Sequence, residues 1–124
     1  MSRLAILAAL AVALVLPSLA LASAPPAGTY TTKIATPPEL KGTWALTFTK
    51  TATYTIALNG KVVIRGHSAG GSQLLFTKET GPKACPSVGA YTWKRTGKTL
   101  KFTKLSDSCV GREFVLGHPF TVRT

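Results

Sequence analysis

From Glu39 onward the chain alternates apolar and polar residues with a period of two, the repeat of an extended strand with one buried face. In "TWALTFT" (43–49), Trp44, Leu46 and Phe48 fall on one face and Ala45, Thr47 and Thr49 on the other. "TYTIAL" (53–58) does the same with Tyr54, Ile56 and Leu58. The earlier "TYTTKIA" (29–35) does so with Tyr30, Thr32 and Ile34, until Pro37-Pro38 ends it. Asn59-Gly60 is a strong hairpin signal, because both central residues of a type I′ turn need positive φ. The pattern predicts strands over 29–35, 43–49, 52–58, 61–67, 72–77, 88–95, 98–104 and 119–123, and leaves room for a helical turn after Asp107, within 107–116.

Two segments echo each other. "GSQLLFTK" (71–78) and "GKTLKFTK" (97–104) share Gly, Leu, Phe, Thr and Lys at identical offsets. The second follows "AYTWKR" across a Thr96-Gly97 turn that sets Trp93 against Leu100 and Tyr91 against Phe102, which makes it a strand. Its near-copy is then expected to be a strand too. That bears on "GHSAG" (66–70), a match to the G-x-S-x-G nucleophile elbow, with Asp107 and His118 following in the chain order of α/β-hydrolases. Such an elbow passes from strand into helix, within a parallel sheet whose crossovers take a dozen or more residues each. Ser68 instead leads from one strand towards another through Gly70-Gly71, and His118 is followed by a proline. The match reads as a turn, and no enzymatic activity is expected.

Composition sets the compartment. Arg3, the apolar run Leu4 to Leu16, Pro17 and Ala20-Leu21-Ala22 form a signal peptide cut after Ala22. Of 124 residues this leaves 102, enough for one domain. No later segment could cross a membrane, so a secreted or periplasmic chain without stable membrane insertion is expected. Residues 23–38 form a proline-rich N-terminal segment with one short strand, and 39–124 the main domain. The full chain carries 15 basic and 4 acidic residues. Setting aside Arg3 leaves 14 basic residues against Glu39, Glu79, Asp107 and Glu113, or +10. This charge suits an anionic surface, and equally keeps a β-rich chain in solution. The densest run, "KRTGKTLKFTK" (94–104), points its aromatic side chains inward and its lysines outward. It therefore lacks the stacking platform of a single-strand binder, and no nucleic acid is expected. Cys85 and Cys109 are expected to pair, as two cysteines in an exported chain do, closing a loop worth roughly 3–4 kcal/mol. Two cysteines with distant histidines fit no zinc spacing, so neither a metal nor another cofactor is expected.

About eight short antiparallel strands joined by tight turns close naturally into an all-β, up-and-down barrel, which removes exposed edges. "LKGTWALTF" (40–48), with Gly42-Thr43-Trp44 opening the main sheet, resembles the G-x-W signature at the first barrel strand of lipocalins and the wider calycin group. The resemblance covers roughly residues 39–124; the chain is shorter than a full lipocalin and lacks the long C-terminal helix. It implies a barrel closed at one end by Trp44, with a basic residue packed across it. Arg123 is the candidate, through a cation–π contact. It also implies a non-enzymatic protein that binds a small apolar or amphipathic ligand, and the chain is expected to be monomeric or weakly associating. Avidin-like proteins are similar small barrels, as are secreted inhibitors of bacterial metalloproteases. The inhibitors resemble this chain in size, single disulfide and the "ELKGTWAL" opening. They imply an alternative, a protein-interaction module whose segment 23–38 enters a partner's cleft.

The turn registers place the ligand. A two-residue turn at Asn59-Gly60 sets Ile56 against Val63 and Tyr54 against Arg65. One at Gly70-Gly71 sets His67 against Leu74 and Arg65 against Phe76. Arg65 and His67 would then join Tyr54, Phe76, Tyr91 and Trp93 in an aromatic-lined pocket with a few polar groups, the usual make-up of a small-molecule site. One β-bulge reverses this reading, putting Val62 and Ile64 inside and Arg65 in solvent. Both registers stay open at the level of sequence.

Overall fold

The period-two stretches fold as eight strands: β1 (Gly28–Ile34), β2 (Gly42–Phe48), β3 (Thr53–Leu58), β4 (Lys61–Ala69), β5 (Leu74–Thr80), β6 (Gly89–Thr96), β7 (Thr99–Ser106) and β8 (Phe120–Val122). Each pairs antiparallel with the next, and β8 returns to β1, so the sheet closes into a barrel without a free edge. The computed structural model describes residues 24–69 and 73–124; the expected leader and the Gly70-Gly71 turn fall outside them. β1 pairs along its whole length with β2 and also with β8. It is a stave of the barrel, not part of a separate N-terminal segment.

Register decides which side chains face inward, and three irregularities set it. Asn59 and Gly60 take φ of 51° and 85°, as the type I′ signal requires, and Leu58 faces Lys61. One step later the β3–β4 register shifts, so Ile56 faces Ile64 and Tyr54 faces Gly66. Val63 is the extra residue. Arg65 and His67 are turned to solvent, and Gly66 and Ser68 inward. Of the two registers left open by the sequence, the bulged one is found: Ile64 is inside and Arg65 in solvent, with Val63 buried where Val62 was expected. The inward placement of Arg65 and His67 in a ligand pocket is not realised, because a bulge flips every later side chain of a strand. The second shift lies between β4 and β5, where Arg65 faces Thr80 and His67 faces Thr77. Lys78 and Glu79 together oppose Gly66, and Lys78 adopts φ of 52°, which costs a residue with a side chain roughly 1–2 kcal/mol. The third concerns the β6–β7 hairpin. Its turn is Gly97-Lys98, one residue later than Thr96-Gly97, with Gly97 at φ 63° in the position where glycine is cheapest. Arg95 therefore faces Leu100, Trp93 faces Phe102 and Tyr91 faces Lys104 in one register, and a shift at Ala90/Tyr91 then sets Ala90 against Ser106.

The barrel centre is filled. Phe76, fully buried, sits at the hub of edge-on or tilted ring contacts with Tyr54 (5.0 Å), Tyr91 (5.4 Å), Phe102 (6.2 Å) and Phe48 (6.4 Å). Tyr30 on Phe48 and Phe120 on Phe102 extend the chain of rings to the neighbouring strands β1 and β8. Edge-to-face geometry of this kind adds about 0.5–1.5 kcal/mol per pair beyond the buried area.

One end of the barrel carries a cap. There lie a 3-10 turn (Pro38–Leu40), the 81–88 connection and the helix α1 (Val110–Leu116). Asp107 Oδ1 accepts the Cys109 N–H at 2.9 Å just before α1 begins. Gly117 donates back to the Glu113 carbonyl at 3.0 Å, and Pro119 prevents continuation. Arg112, Val115 and Leu116, at helical spacing, form the buried face of α1. Cys85 and Cys109 join the two connections at disulfide distance, with Cα atoms 6.2 Å apart.

Candidate functional site

Beneath the cap lies a polar network inside an otherwise apolar barrel. The Arg112 side chain is 1% exposed, and those of Glu79 and Asp107 are fully enclosed. Arg112 grips Asp107 with two parallel bonds, Nε to Oδ2 at 2.8 Å and Nη2 to Oδ1 at 2.7 Å. This is the bidentate fork that makes arginine the choice for a buried carboxylate. Nη2 also donates to the Ser87 carbonyl at 2.8 Å. Nη1 lies 3.1 Å from Glu79 Oε2 but makes no aligned hydrogen bond. Tyr54 donates its hydroxyl to Glu79 and Tyr91 donates to Asp107, each at 2.5 Å. The disulfide is built into the same unit: the Cys85 N–H donates to Glu79 Oε1 and the Cys109 N–H to Asp107 Oδ1, both at 2.9 Å.

Local backbone features aim each member. Without the bulge at Lys78, alternation from Leu74 and Phe76 would send Lys78 inward and Glu79 out. With it, Lys78 is exposed and Glu79 enters the barrel. Gly89 supplies the space, since a Cβ there would stand 2.7 Å from Asp107 Oδ2 and 2.9 Å from the Arg112 guanidinium. Gly66 does likewise for the Tyr54 hydroxyl, which a Cβ would meet at 2.5 Å.

The electrostatics follow. Burial alone would raise the Asp107 carboxyl, but hydrogen bonds from Arg112, Tyr91 and Cys109 outweigh it and hold the group below the ordinary carboxylate range. Burial comes first for both tyrosines, reinforced by the acceptor carboxylates, and keeps the phenols protonated far above their usual range. Burial would lower Arg112, yet Asp107 and Glu79 raise it, so the guanidinium stays charged.

Beside this network is an apolar pocket of about 170 Å³, walled by Leu40, Trp44, Ile56, Ile64, Val115, Leu116, Arg112 and the two cysteines. Exposed Lys83 and Gly111 stand at its rim. Trp44 is fixed in the wall by its Nε1–H, which donates to the Leu40 carbonyl at 2.8 Å.

The residues expected to bind ligand are dispersed by this arrangement. Tyr54, Phe76 and Tyr91 belong to the filled centre, Trp93 is half-buried against the core, and Arg65 and His67 lie on the outer surface. Trp44 is buried at the capped end, but Arg123 is exposed, and its backbone N–H bonds to the Thr29 carbonyl. Among the described residues, the cation–π contact is Arg95 over Tyr30, at 5.8 Å and towards the opposite end. Ser68 lies within β4 with its Oγ buried and unbonded, Asp107 is held by Arg112, and His118 Nδ1 pairs with the Phe114 carbonyl. No hydrogen bond joins these three. The buried network is not foreseen from sequence, where Glu79 counts only as one of four acids and Asp107 stands out as the acid that follows the G-x-S-x-G match and precedes a helical turn. Their spacing was the available signal: each precedes a cysteine closely enough to accept its N–H. No family model matches the chain, and neither the curated proteins nor the solved structures yield a match.

Proposed function

We propose that the chain is an exported, monomeric, non-enzymatic binding protein of lipocalin-like type. Its small apolar or amphipathic ligand occupies the end pocket beside Trp44, not the barrel centre. The observation that carries this is the pocket: apolar walls around about 170 Å³, with a buried arginine in one of them. A cavity of about 150 Å³ lined by aliphatic and aromatic groups holds a benzene ring, so the ligand's buried part is one ring or a short alkyl chain. The Gly42-Thr43-Trp44 opening and the closed eight-strand barrel support the lipocalin-like reading, and the disulfide and the absence, among the described residues, of a helix able to cross a membrane are compatible with export.

Toluene and phenol are the probes. Trp93→Phe leaves Trp44 as the sole tryptophan, and both compounds should change its emission in a saturable manner. Val115→Phe, which fills the pocket, should abolish the response. Emission unchanged to millimolar probe, or unaffected by Val115→Phe, refutes the assignment.

The filled centre favours a second reading, a protein-interaction module such as a protease inhibitor. Val88, Leu105, Val110 and Phe114, all large, apolar and exposed, lie in segments around the capped end. Inhibition of a secreted zinc metalloprotease, lost in Val110→Ser/Phe114→Ser, supports this reading; no inhibition by the wild type excludes that target.

A further inference from the structure

We infer that the outer face of β3–β4–β5 is a second binding site, for an anionic polysaccharide. A groove there of about 290 Å³ is lined by Arg65, His67 and Lys78 with the hydroxyl-bearing Thr53, Thr55 and Thr80. Register sets these side chains in two cross-strand rows: Thr55, Arg65 and Thr80 in one, and Thr53, His67 and Thr77 in the other. Residues two apart on a strand are about 6.6–6.8 Å apart, so Arg65 in one row and the His67 imidazole in the next stand one strand repeat apart, each flanked by threonine hydroxyls. Lys78 lies between them, turned outward by the bulge.

The charge of this face is a product of the fold. β5 carries one acid, Glu79, and the bulge that exposes Lys78 sends it inward to Arg112. Asp107 is buried in the same network. Of the four acids only Glu39 and Glu113 remain outside, and Glu113 is paired with Lys104 at 2.7 Å. The ion pairs found among the described residues involve neither Arg65 nor Lys78. The groove thus offers positive charge and hydroxyl donors with no competing carboxylate. Among the described residues the exposed large apolar ones are Val88, Leu105, Val110 and Phe114, none of them in the groove. Tyr54 also borders the groove, but its ring is buried and its hydroxyl bonded to Glu79. Only the His67 imidazole is therefore left to stack on a base, and no large apolar side chain is exposed there to wedge into a bilayer. A polymer bearing both carboxylates and hydroxyls is complementary to it.

Polygalacturonate is the probe, titrated against the full secreted chain by calorimetry in 50–300 mM salt, with neutral dextran, a single-stranded oligonucleotide and phosphatidylglycerol vesicles as comparisons. Arg65→Ser/Lys78→Ser should weaken polygalacturonate binding roughly tenfold, as loss of two exposed charge contacts would. Lys94→Ser/Lys101→Ser removes the same charge from a different face and should weaken it by less than about threefold. All four positions are exposed, so melting curves of both variants should match the wild type. Equal losses in the two variants would mean diffuse attraction and overturn the site. So would absence of polygalacturonate binding, or stronger binding of the oligonucleotide or vesicles.

Discussion

Arg112→Met is the sharpest test of what holds the cap in place. The side chain is 1% exposed and supplies three hydrogen bonds, two to Asp107 and one to the Ser87 carbonyl, as well as the cation facing Glu79. Methionine keeps most of the volume and removes all of these. Each carboxylate then retains only a tyrosine hydroxyl and a cysteine N–H. Deleting one partner of a buried ion pair costs about 3–5 kcal/mol, against a total of about 5–15 for an ordinary domain. With a urea slope of ~1.2 kcal/mol/M, the unfolding midpoint should fall by roughly 2.5–4 M at pH 7.

The deficit should also depend on pH, with a definite sign. In the wild type Asp107 titrates below its unfolded value. It stabilises the fold above about pH 4, and this contribution is lost as pH falls through the lower, folded value. In Arg112→Met the guanidinium's bonds and charge are gone and only Tyr91 and the Cys109 N–H still oppose burial, so the folded value rises and less of this stabilisation remains at higher pH. The gap between wild type and variant should therefore be widest at pH 7 and narrower at pH 4.5, read by tryptophan fluorescence in urea. Glu79→Gln/Asp107→Asn/Arg112→Met, which removes every charge, should recover part of the loss. A deficit under about 1 kcal/mol at pH 7, or one that does not change with pH, refutes the account.

Ser68→Ala should raise stability by about 1 kcal/mol, because Ser68 Oγ is buried without a partner; a loss in thermal melting would show that the hydroxyl is satisfied. Any p-nitrophenyl ester hydrolysis should be the same in wild type and this variant, and its loss in the variant would restore the nucleophile reading of "GHSAG". Gly89→Ala should cost about 2–3 kcal/mol in urea, since its Cβ would fall 2.7 Å from Asp107 Oδ2, and a neutral result would mean that β6 yields freely. Cys85→Ser/Cys109→Ser should cost about 3 kcal/mol and weaken toluene binding, because both cysteines line the pocket; unchanged affinity would place the probe elsewhere.

The architecture was legible because alternation is a strong signal in strands with one buried face. Tyr30, Leu46, Phe48, Ile56 and Phe120 are buried as their period-two placement requires, and Asn59-Gly60 turns as its φ preferences require. The facing of Arg65 and His67 was not legible, since it depended on counting across hairpins, where one extra residue reverses the outcome. Val63 is such a residue: Val62, Val63 and Ile64 are all apolar, so nothing in the pattern says which one is surplus. At Lys78-Glu79 local propensity points the wrong way, because a lysine at positive φ is unfavourable by itself, yet the bulge it makes turns Glu79 towards Arg112 and Tyr54. The Gly97-Lys98 turn differed from Thr96-Gly97 by one step, yet that step moved the partners of Trp93 and Tyr91 two residues along β7, to Phe102 and Lys104.

The bulge at Lys78 ties the two surfaces of the barrel together. A single residue at φ 52° delivers a carboxylate to the interior and an ammonium to the exterior, so the core network and the outer groove cannot vary independently. The interior needs Glu79 because Arg112, which α1 carries inward along with Val115 and Leu116, brings a charge that Asp107 shares with two other donors, Tyr91 and the Cys109 N–H. The helix can bury its face only if that charge is met, and the apolar wall of the end pocket is this same face. The disulfide acts at the same place: it joins the two connections whose backbone N–H groups orient the carboxylates. Pocket, cap and groove are thus consequences of how an arginine is accommodated in a barrel too narrow to leave it hydrated.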